Sequence, residues 1–172
     1  MLELERTYLL KRIPEWLTTF PYKDLIDIYI PAESNHPHVR IRKHGDKTVI
    51  MKKVLTNPDD LSSLEESVIQ LTQEEFDVLQ QVPGKRIHKY RYYMPYKWLI
   101  IEIDVFQEDL KWLIMADVEF PDEETKNNFL KPDFFLLEVT QDVTFAGGLL
   151  CGKSYENILP KLESIWYNKL EI

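Results

Sequence analysis

The feature that most constrains this chain is an alternation with a period of two, which brings charged side chains repeatedly to one face of a strand. The N-terminal segment LELERTYLL places Glu3, Glu5 and Thr7 on one face. Leu4 and Tyr8 lie on the opposite face, as in a strand with one side against a hydrophobic layer. Seven further segments also favour strands, so the sequence predicts a protein built mainly around an antiparallel sheet.

The strand candidates follow one another closely, and short polar turns join several of them. They lie at residues 2–10, 23–31, 39–43, 48–54, 67–71, 87–96, 98–107 and 112–120. Helices are predicted at residues 71–81, 121–129 and 154–170. Thr72 and Glu75 form a capping box in the first, and Pro160 should kink the last or start a new helix within it. These elements predict one α+β domain over residues 1–172, an eight-stranded antiparallel β-barrel with helices packed outside and a C-terminal helix. An open sheet with helices on one face is the alternative.

Ionisable residues on the polar faces are sorted by strand rather than mixed. The acidic ones are Glu3, Glu5, Glu102, Asp104, Asp117 and Glu119, and the basic ones are Arg40, Arg42, Lys52, Lys89 and Arg91. A solvated outer face of the sheet is one interpretation. However, like charges at positions i and i+2 gain nothing on a plain surface, and the opposite faces of most of these strands are strongly apolar. We therefore expect the apolar faces to pack outward and the charges to point into the barrel.

If the barrel closes, its first and eighth strands become neighbours and their carboxylates cluster. These carboxylates belong to Glu3, Glu5, Asp117 and Glu119. Such a cluster repels itself and demands cations. Oxygen ligands without histidine or cysteine select Mg²⁺ or Mn²⁺. The basic residues of the third, fourth and sixth strands would then face an anion with several negative charges, and metal ions with arginine and lysine are the usual chemistry for a polyphosphate.

At these residues the chain resembles the CYTH domain proteins, also called triphosphate tunnel metalloenzymes. That family includes class IV adenylyl cyclases, thiamine triphosphatases and inorganic triphosphatases. The matching positions are Glu3 and Glu5, Arg40 and Arg42, Gly45, Lys52, Glu66, the strands at 87–96, 98–107 and 112–120, and Glu138 to Thr140. The resemblance runs from Glu3 to about Lys153, nearly the whole chain, and depends on the order of the motifs rather than on any single one.

The resemblance implies an eight-stranded tunnel that holds a triphosphate group and its metal ions. The implied metal ligands are Glu3, Glu5, Asp117 and Glu119. The implied substrate-binding residues are Arg40, Arg42, Lys52, Lys89, Arg91, Lys153, Glu66, Glu102 and Asp104. The residues expected to take part in catalysis are Glu3, Glu5, Lys52 and Arg91.

Three departures from the family pattern bear on this site. Thr7 stands where the signature has lysine, which removes a positive charge from the interior, and Lys153 is a candidate to replace it. Ser62 and Leu64 stand where many members have arginine and glutamate. Asp117 replaces a glutamate with a shorter arm.

The histidines and the single cysteine receive structural interpretations. His36 and His38 have a spacing that permits metal binding on a strand, yet the proline between them favours a surface turn. His44 is assigned to a glycine turn and His88 to a half-buried strand position. Cys151 has no neighbouring histidine that would mark it as a nucleophile, so we expect a packing role.

Charge and composition restrict the classes of partner that the protein is expected to bind. The formal net charge of −8 argues against general nucleic-acid binding but leaves room for a local basic cluster around a small triphosphate-containing ligand. The single cysteine excludes an intramolecular disulfide and suits a reducing compartment. The charged N-terminus does not fit a signal peptide, and no apolar stretch approaches the roughly 20 residues of a membrane span. We expect a soluble, cytoplasmic monomer or homodimer without membrane partners.

Metal-dependent hydrolysis of a triphosphate is the first functional hypothesis, with Mg²⁺ or Mn²⁺ as the cofactor. The substrate could be inorganic triphosphate, thiamine triphosphate or a nucleotide, because the motifs report only on the phosphate end. One alternative is a class IV adenylyl cyclase that forms cyclic AMP from ATP. Another is a protein that binds triphosphate or polyphosphate without catalysis.

Overall fold

Nine strands and four α-helices organise residues 2–172, which the computed structural model describes. The strands are β1 (Leu2–Leu10), β2 (Tyr22–Ile30), β3 (Val39–His44), β4 (Lys47–Asn57), β5 (Asp60–Leu71), β6 (Lys85–Tyr96), β7 (Leu99–Phe106), β8 (Ile114–Phe120) and β9 (Phe135–Glu138). The helices are α1 (Gln73–Leu79), α2 (Glu123–Asn127), α3 (Gly147–Leu150) and α4 (Tyr155–Ser164). Short 3-10 helices lie at Leu17–Thr19, Glu108–Leu110 and Val143–Phe145.

The first strand closes the sheet into a barrel because it pairs on both of its edges. On one side Leu4 lies opposite Ser63 of β5, and on the other Glu5 lies opposite Glu119 of β8. All of these pairings are antiparallel, and β9 continues beside the far end of β1. The predicted α+β fold, an eight-stranded antiparallel barrel with a C-terminal helix, is therefore confirmed, and the open sheet is excluded.

The strand order differs from a simple run of consecutive hairpins. Around the barrel the order is β1, β5, β4, β3, β2, β6, β7, β8 and again β1. The two breaks in sequential order occur where β1 connects to β2 and β5 connects to β6. Residues 11–21 and 72–84 provide these connections and include helical turns. Each connection is therefore long enough to pass the strands that lie between the two strands it joins. The sequence did not indicate β9 either.

Apolar side chains pack on the outside of the barrel and at one of its ends. One buried cluster contains outward-facing residues such as Leu4, Ile103 and Val118. A second contains inward-facing Leu9 together with Phe145. It is completed by buried residues of β6 to β8, α3 and α4, including Ile87, Met115, Leu150, Ile158 and Leu162. The interior is consequently apolar near α3 and charged further along the barrel axis.

The structure contains the predicted capping box and a helix in each of the predicted segments. The Thr72 hydroxyl accepts a hydrogen bond from the backbone N–H of Glu75 at 3.2 Å, and the Glu75 carboxylate accepts one from that of Thr72 at 2.7 Å. Helix α4 contains Pro160 and continues past it to Ser164, so the segment forms one helix rather than two. Within residues 2–172, every helix is too short or too polar to cross a membrane.

Candidate functional site

A cavity of about 610 Å³ lies inside the barrel and is lined by charged side chains from β1 to β8. The lining carboxyl groups belong to Glu3, Glu5, Asp27, Glu66, Glu102, Asp104, Asp117, Glu119 and Asp142. The lining cations are Arg40, Arg42, Lys53, Lys89 and Arg91. Among the described residues, nine carboxyl groups thus face five lysines and arginines, so the wall carries an excess of negative charge.

The acidic part of the wall is formed by β1 and β8. Their register places Glu5 opposite Glu119 and Thr7 opposite Asp117. Burial and the negative charges of Glu102 and Glu3 raise the pKa of Glu119 to about 7. Burial, followed by the charge of Glu5, also raises the pKa of Asp117. Crowded carboxylates with raised pKa values are those that a bound cation would stabilise.

Lys53 of β4 reaches this acidic wall. Its Nζ atom lies 2.5 Å from Glu3 Oε2, 3.3 Å from Glu5 Oε2 and 3.9 Å from Glu66 Oε1. Burial lowers the pKa of Lys53, but the charges of Glu5 and Glu3 outweigh it, so the pKa is raised overall. Lys53 is therefore a half-buried cation within the acidic group.

The lysine predicted from the sequence at this position is the wrong one of an adjacent pair. Lys52 is exposed and lies opposite Val39, whereas inward-facing Arg40 lies opposite Met51. Side chains alternate along a strand, so Lys53 shares the inner face with Met51 and Lys52 takes the outer one. Two consecutive lysines gave no signal in the sequence to distinguish them.

Arg91 forms the centre of a buried ion-pair network. Its Nε and Nη2 atoms each donate a 2.6 Å hydrogen bond to Asp104, and Nη2 donates another to Asp117 at 3.1 Å. Arg91 also pairs with Glu102, and Lys89 pairs with Asp104. Burial raises the pKa of Asp104, but the charges of Arg91 and Lys89 outweigh it and hold the pKa at about 2. This network fixes the plane of the guanidinium group.

A second network joins β2 and β3. Arg42 donates hydrogen bonds of 2.6 and 2.8 Å to the two oxygens of Asp27. Arg40 donates one of 2.7 Å to the Tyr29 hydroxyl, and its buried Nε has no hydrogen-bond partner among the described residues. Asp27 was not predicted as a site residue, although an acid with isoleucine on both sides, as in LIDIYI, was a usable signal.

The remaining predicted residues divide between the cavity and the outside. The cavity lining includes Glu66 and Thr140. Glu138 instead lies near Arg6, with 3.6 Å between their charged atoms. Lys153 follows α3 and is half-buried, but it does not line the cavity, so a compensating role for the missing lysine at position 7 is not supported.

The histidine interpretations need correction in part. His36, His38 and His44 all line the cavity rather than occupying purely external turns. The His44 ring nitrogen is hydrogen-bonded to the Tyr93 hydroxyl. Loops were expected to point to solvent, but the β2–β3 loop folds over one end of the barrel. His88 lies outside the cavity, half-buried, and contacts Asp24 at 2.7 Å. Cys151 is buried in the apolar cluster, as expected.

No ready-made metal cage of three or more histidine, cysteine, aspartate or glutamate residues occurs within residues 2–172. The carboxylates of β1 and β8 contact Lys53, Arg91 and the Thr7 hydroxyl instead. Their donor atoms are nevertheless all oxygens, which is the set that hard divalent cations prefer. The chemistry of the donors fits such an ion, although the side chains would have to rearrange around it.

The sequence relatives of this chain are both inorganic triphosphatases. No protein-family model matches the chain. The chain is 30% identical over 146 residues to the inorganic triphosphatase of Nitrosomonas europaea (strain ATCC 19718), which covers 83% of this chain and 91% of the relative. It is also 30% identical over 120 residues to the inorganic triphosphatase of Acetivibrio thermocellus (strain ATCC 27405), covering 69% of this chain and 74% of the relative.

Solved structures show the same similarity. The crystal structure of the inorganic triphosphatase NE1496 matches with a TM-score of 0.63 at 25% sequence identity, over 87% of this chain and 93% of that one. A putative adenylate cyclase from Bacillus halodurans matches with a TM-score of 0.52 at 14% identity, over 99% of this chain and 92% of that one, and so shares the fold. Sequence relatives align over most of both chains, and this chain forms the same kind of barrel as its structural neighbours. The chain therefore belongs to the CYTH family, the family of the inorganic triphosphatases that it resembles.

Proposed function

We propose that this protein hydrolyses inorganic triphosphate in a metal-dependent reaction inside the barrel. The observation that carries the proposal is the division of the cavity wall, in which carboxylates of β1 and β8 face arginines and lysines of β3, β4 and β6. A cavity with both kinds of group suits a substrate that is itself highly negative and is accompanied by cations. The two inorganic triphosphatases among its sequence relatives support the choice of substrate.

The metal ligands in this proposal are the carboxylates of Glu3, Glu5, Asp117 and Glu119. A Mg²⁺ or Mn²⁺ ion held by these carboxylates would supply Lewis acidity toward the phosphoryl group and toward water. Burial and the nearby negative charges of Glu102 and Glu3, which raise the pKa of Glu119 to about 7, support this assignment because a bound cation would relieve both. The four residues lie on two hydrogen-bonded strands, which fixes the positions of their backbones relative to one another.

The arginines and lysines hold the phosphate groups. Guanidinium groups donate two parallel hydrogen bonds to phosphate oxygens, which fixes orientation as well as charge. Arg42 and Arg91 are held in place by Asp27 and Asp104, so their orientation is largely set before a ligand binds. The buried Nε of Arg40 is an additional donor that a phosphate oxygen could satisfy.

The proposal is tested by measuring phosphate release from tripolyphosphate with Mg²⁺, with Mn²⁺ and with a chelator. A variant with both Glu3→Gln and Glu5→Gln should lose activity by on the order of 100-fold or more, since the charges that hold the metal are removed. Glu65→Gln is the matched control, because Glu65 lies on the same barrel but is exposed. Normal turnover in the double variant would refute the metal-ligand assignment, and an inert wild-type protein would refute hydrolysis.

The same assay, together with product analysis and a binding measurement, distinguishes the other substrates and activities considered for this family. ATP and thiamine triphosphate are tested beside tripolyphosphate at equal concentration. Preferential release of phosphate from tripolyphosphate is expected. Formation of cyclic AMP from ATP would instead identify a cyclase, and tight binding without turnover would identify a binding protein.

A further inference from the structure

The ammonium group of Lys53 lies between two carboxylates that the proposed function assigns to the metal. Its Nζ atom is 2.5 Å from Glu3 and 3.3 Å from Glu5. Glu3 Oε2 is buried and has this ion pair but no partner in hydrogen-bond geometry among the described residues. The negative charge of Glu3 is therefore neutralised mainly by the ammonium group of Lys53.

An ammonium group and a divalent ion cannot both occupy this position. Each needs the same carboxylate oxygens, and at such short separation their charges repel strongly. Lysine carries its charge on a flexible stem of four carbons, unlike the rigid fork of arginine. Lys53 is thus able to leave the carboxylates without moving the strand that carries it.

A second anion-binding group lies within electrostatic reach of Lys53. Arg40 lines the same cavity and lies opposite Met51, two residues before Lys53 on the inner face of β4, so the two positive charges repel each other. A phosphate held by Arg40 would attract Lys53 as well, so both cations would be drawn to the same anion instead of only repelling each other. The displaced ammonium group therefore has a favourable destination only when the polyphosphate is present.

We propose that Lys53 is a built-in competitor for the metal, displaced from Glu3 and Glu5 toward the triphosphate when the ion binds. The inference rests on the proposed function, because it takes the metal ligands and the substrate class from it. In the absence of triphosphate, Lys53 weakens metal binding. In its presence, Lys53 strengthens the ternary complex, so that metal and substrate bind cooperatively.

The test is direct Mn²⁺ binding, measured by electron paramagnetic resonance of the free ion, to the wild-type protein and to Lys53→Gln. Without triphosphate, Lys53→Gln should bind Mn²⁺ about tenfold more tightly, because a competing charge at the ligands has been removed. With a non-hydrolysable imido analogue of tripolyphosphate, the same variant should bind the analogue about tenfold more weakly. Lys53→Arg, which keeps the charge, should resemble the wild-type protein in the first measurement.

Lys52→Gln is the matched control, since this neighbouring lysine is exposed and makes no contact with the acidic wall. Thermal melting of each variant checks that the fold is retained. If Lys53→Gln leaves Mn²⁺ affinity unchanged or weakens it, Lys53 only supports the carboxylates and the inference is overturned.

Failure of the inference and failure of the proposed function give different results. Metal-dependent hydrolysis by the wild-type protein, with no tightening of Mn²⁺ binding in Lys53→Gln, overturns the inference alone. Absence of metal-dependent hydrolysis overturns the proposed function, whichever way the affinity changes. Absence of Mn²⁺ binding in all variants overturns both.

Discussion

The Thr7 hydroxyl donates a 2.8 Å hydrogen bond to Oδ1 of Asp117, the residue directly opposite it in the β1–β8 pair. Thr7 stands where the CYTH signature has lysine, and the cavity wall has more carboxylates than cations. We expect Thr7→Lys to lower the KM for tripolyphosphate severalfold, because it adds a positive charge beside the acidic wall. Steady-state phosphate release measures this effect.

Thr7→Val serves as its control, because it removes the hydrogen bond without adding charge. This variant should lose about 1 kcal/mol of unfolding free energy and should not lower the KM. Equal KM values in the two variants would show that the charge at position 7 does not act on the substrate.

Asp27→Asn should destabilise the fold by about 3 kcal/mol. Asp27 is 2% exposed and accepts two hydrogen bonds from Arg42, so the variant leaves a buried guanidinium group without its counter-charge. Urea denaturation measures the change. Asp24→Asn, on the same strand but exposed, should cost less than about 1 kcal/mol. A loss no larger at position 27 than at position 24 would contradict the account.

The imidazole of His44 should titrate well below the usual range. Burial, with the positive charges of Lys23, Arg42 and Arg91, lowers its pKa to about 4. The pKa of a histidine in an unfolded chain is about 6.5. At pH values between the folded and the unfolded pKa, the unfolded chain therefore binds a proton at His44 that the folded chain does not bind. The free energy of unfolding should therefore decrease as the pH falls from about 6.5 toward about 4.

Nuclear magnetic resonance of the His44 ring gives the pKa directly, and denaturation at several pH values gives the stability. His44→Gln should reduce the slope of stability against pH in this interval. A midpoint near that of free histidine would contradict the prediction.

Gly147→Ala should disturb the wall of the cavity, which Gly147 itself helps to line. A Cβ atom at this position would lie 2.2 Å from the Tyr29 hydroxyl, which accepts the 2.7 Å hydrogen bond from Arg40. We expect lower thermal stability and weaker binding of tripolyphosphate, because either α3 or the Tyr29–Arg40 pair must shift. Melting and calorimetry measure the two effects.

Adding Tyr29→Phe to Gly147→Ala removes the atom in the closest contact. The double variant should therefore be more stable than the sum of the two single changes predicts. Simple additivity would show that the clash is relieved elsewhere.

Much of the fold followed from local patterns. Alternation in segments such as LELERTYLL and IEIDVF predicted strands with one charged and one apolar face, and the structure confirms both the barrel and the inward direction of the charges. The capping box at Thr72 and Glu75 was equally local, since it depends on residues three apart. The errors arose where a choice depended on distant partners, as between Lys52 and Lys53 or for Lys153.

By itself, the sequence determined which residues share a face of each strand, because side chains alternate strictly along an extended backbone. Only the tertiary structure decided which faces meet. Strand β1 reaches its place between β5 and β8 through long-range hydrogen bonds, and this brings Lys53 to Glu5 across 48 positions of the chain. Such pairings depend on the register of whole strands and on connections that pass neighbouring strands, so no local pattern contains them.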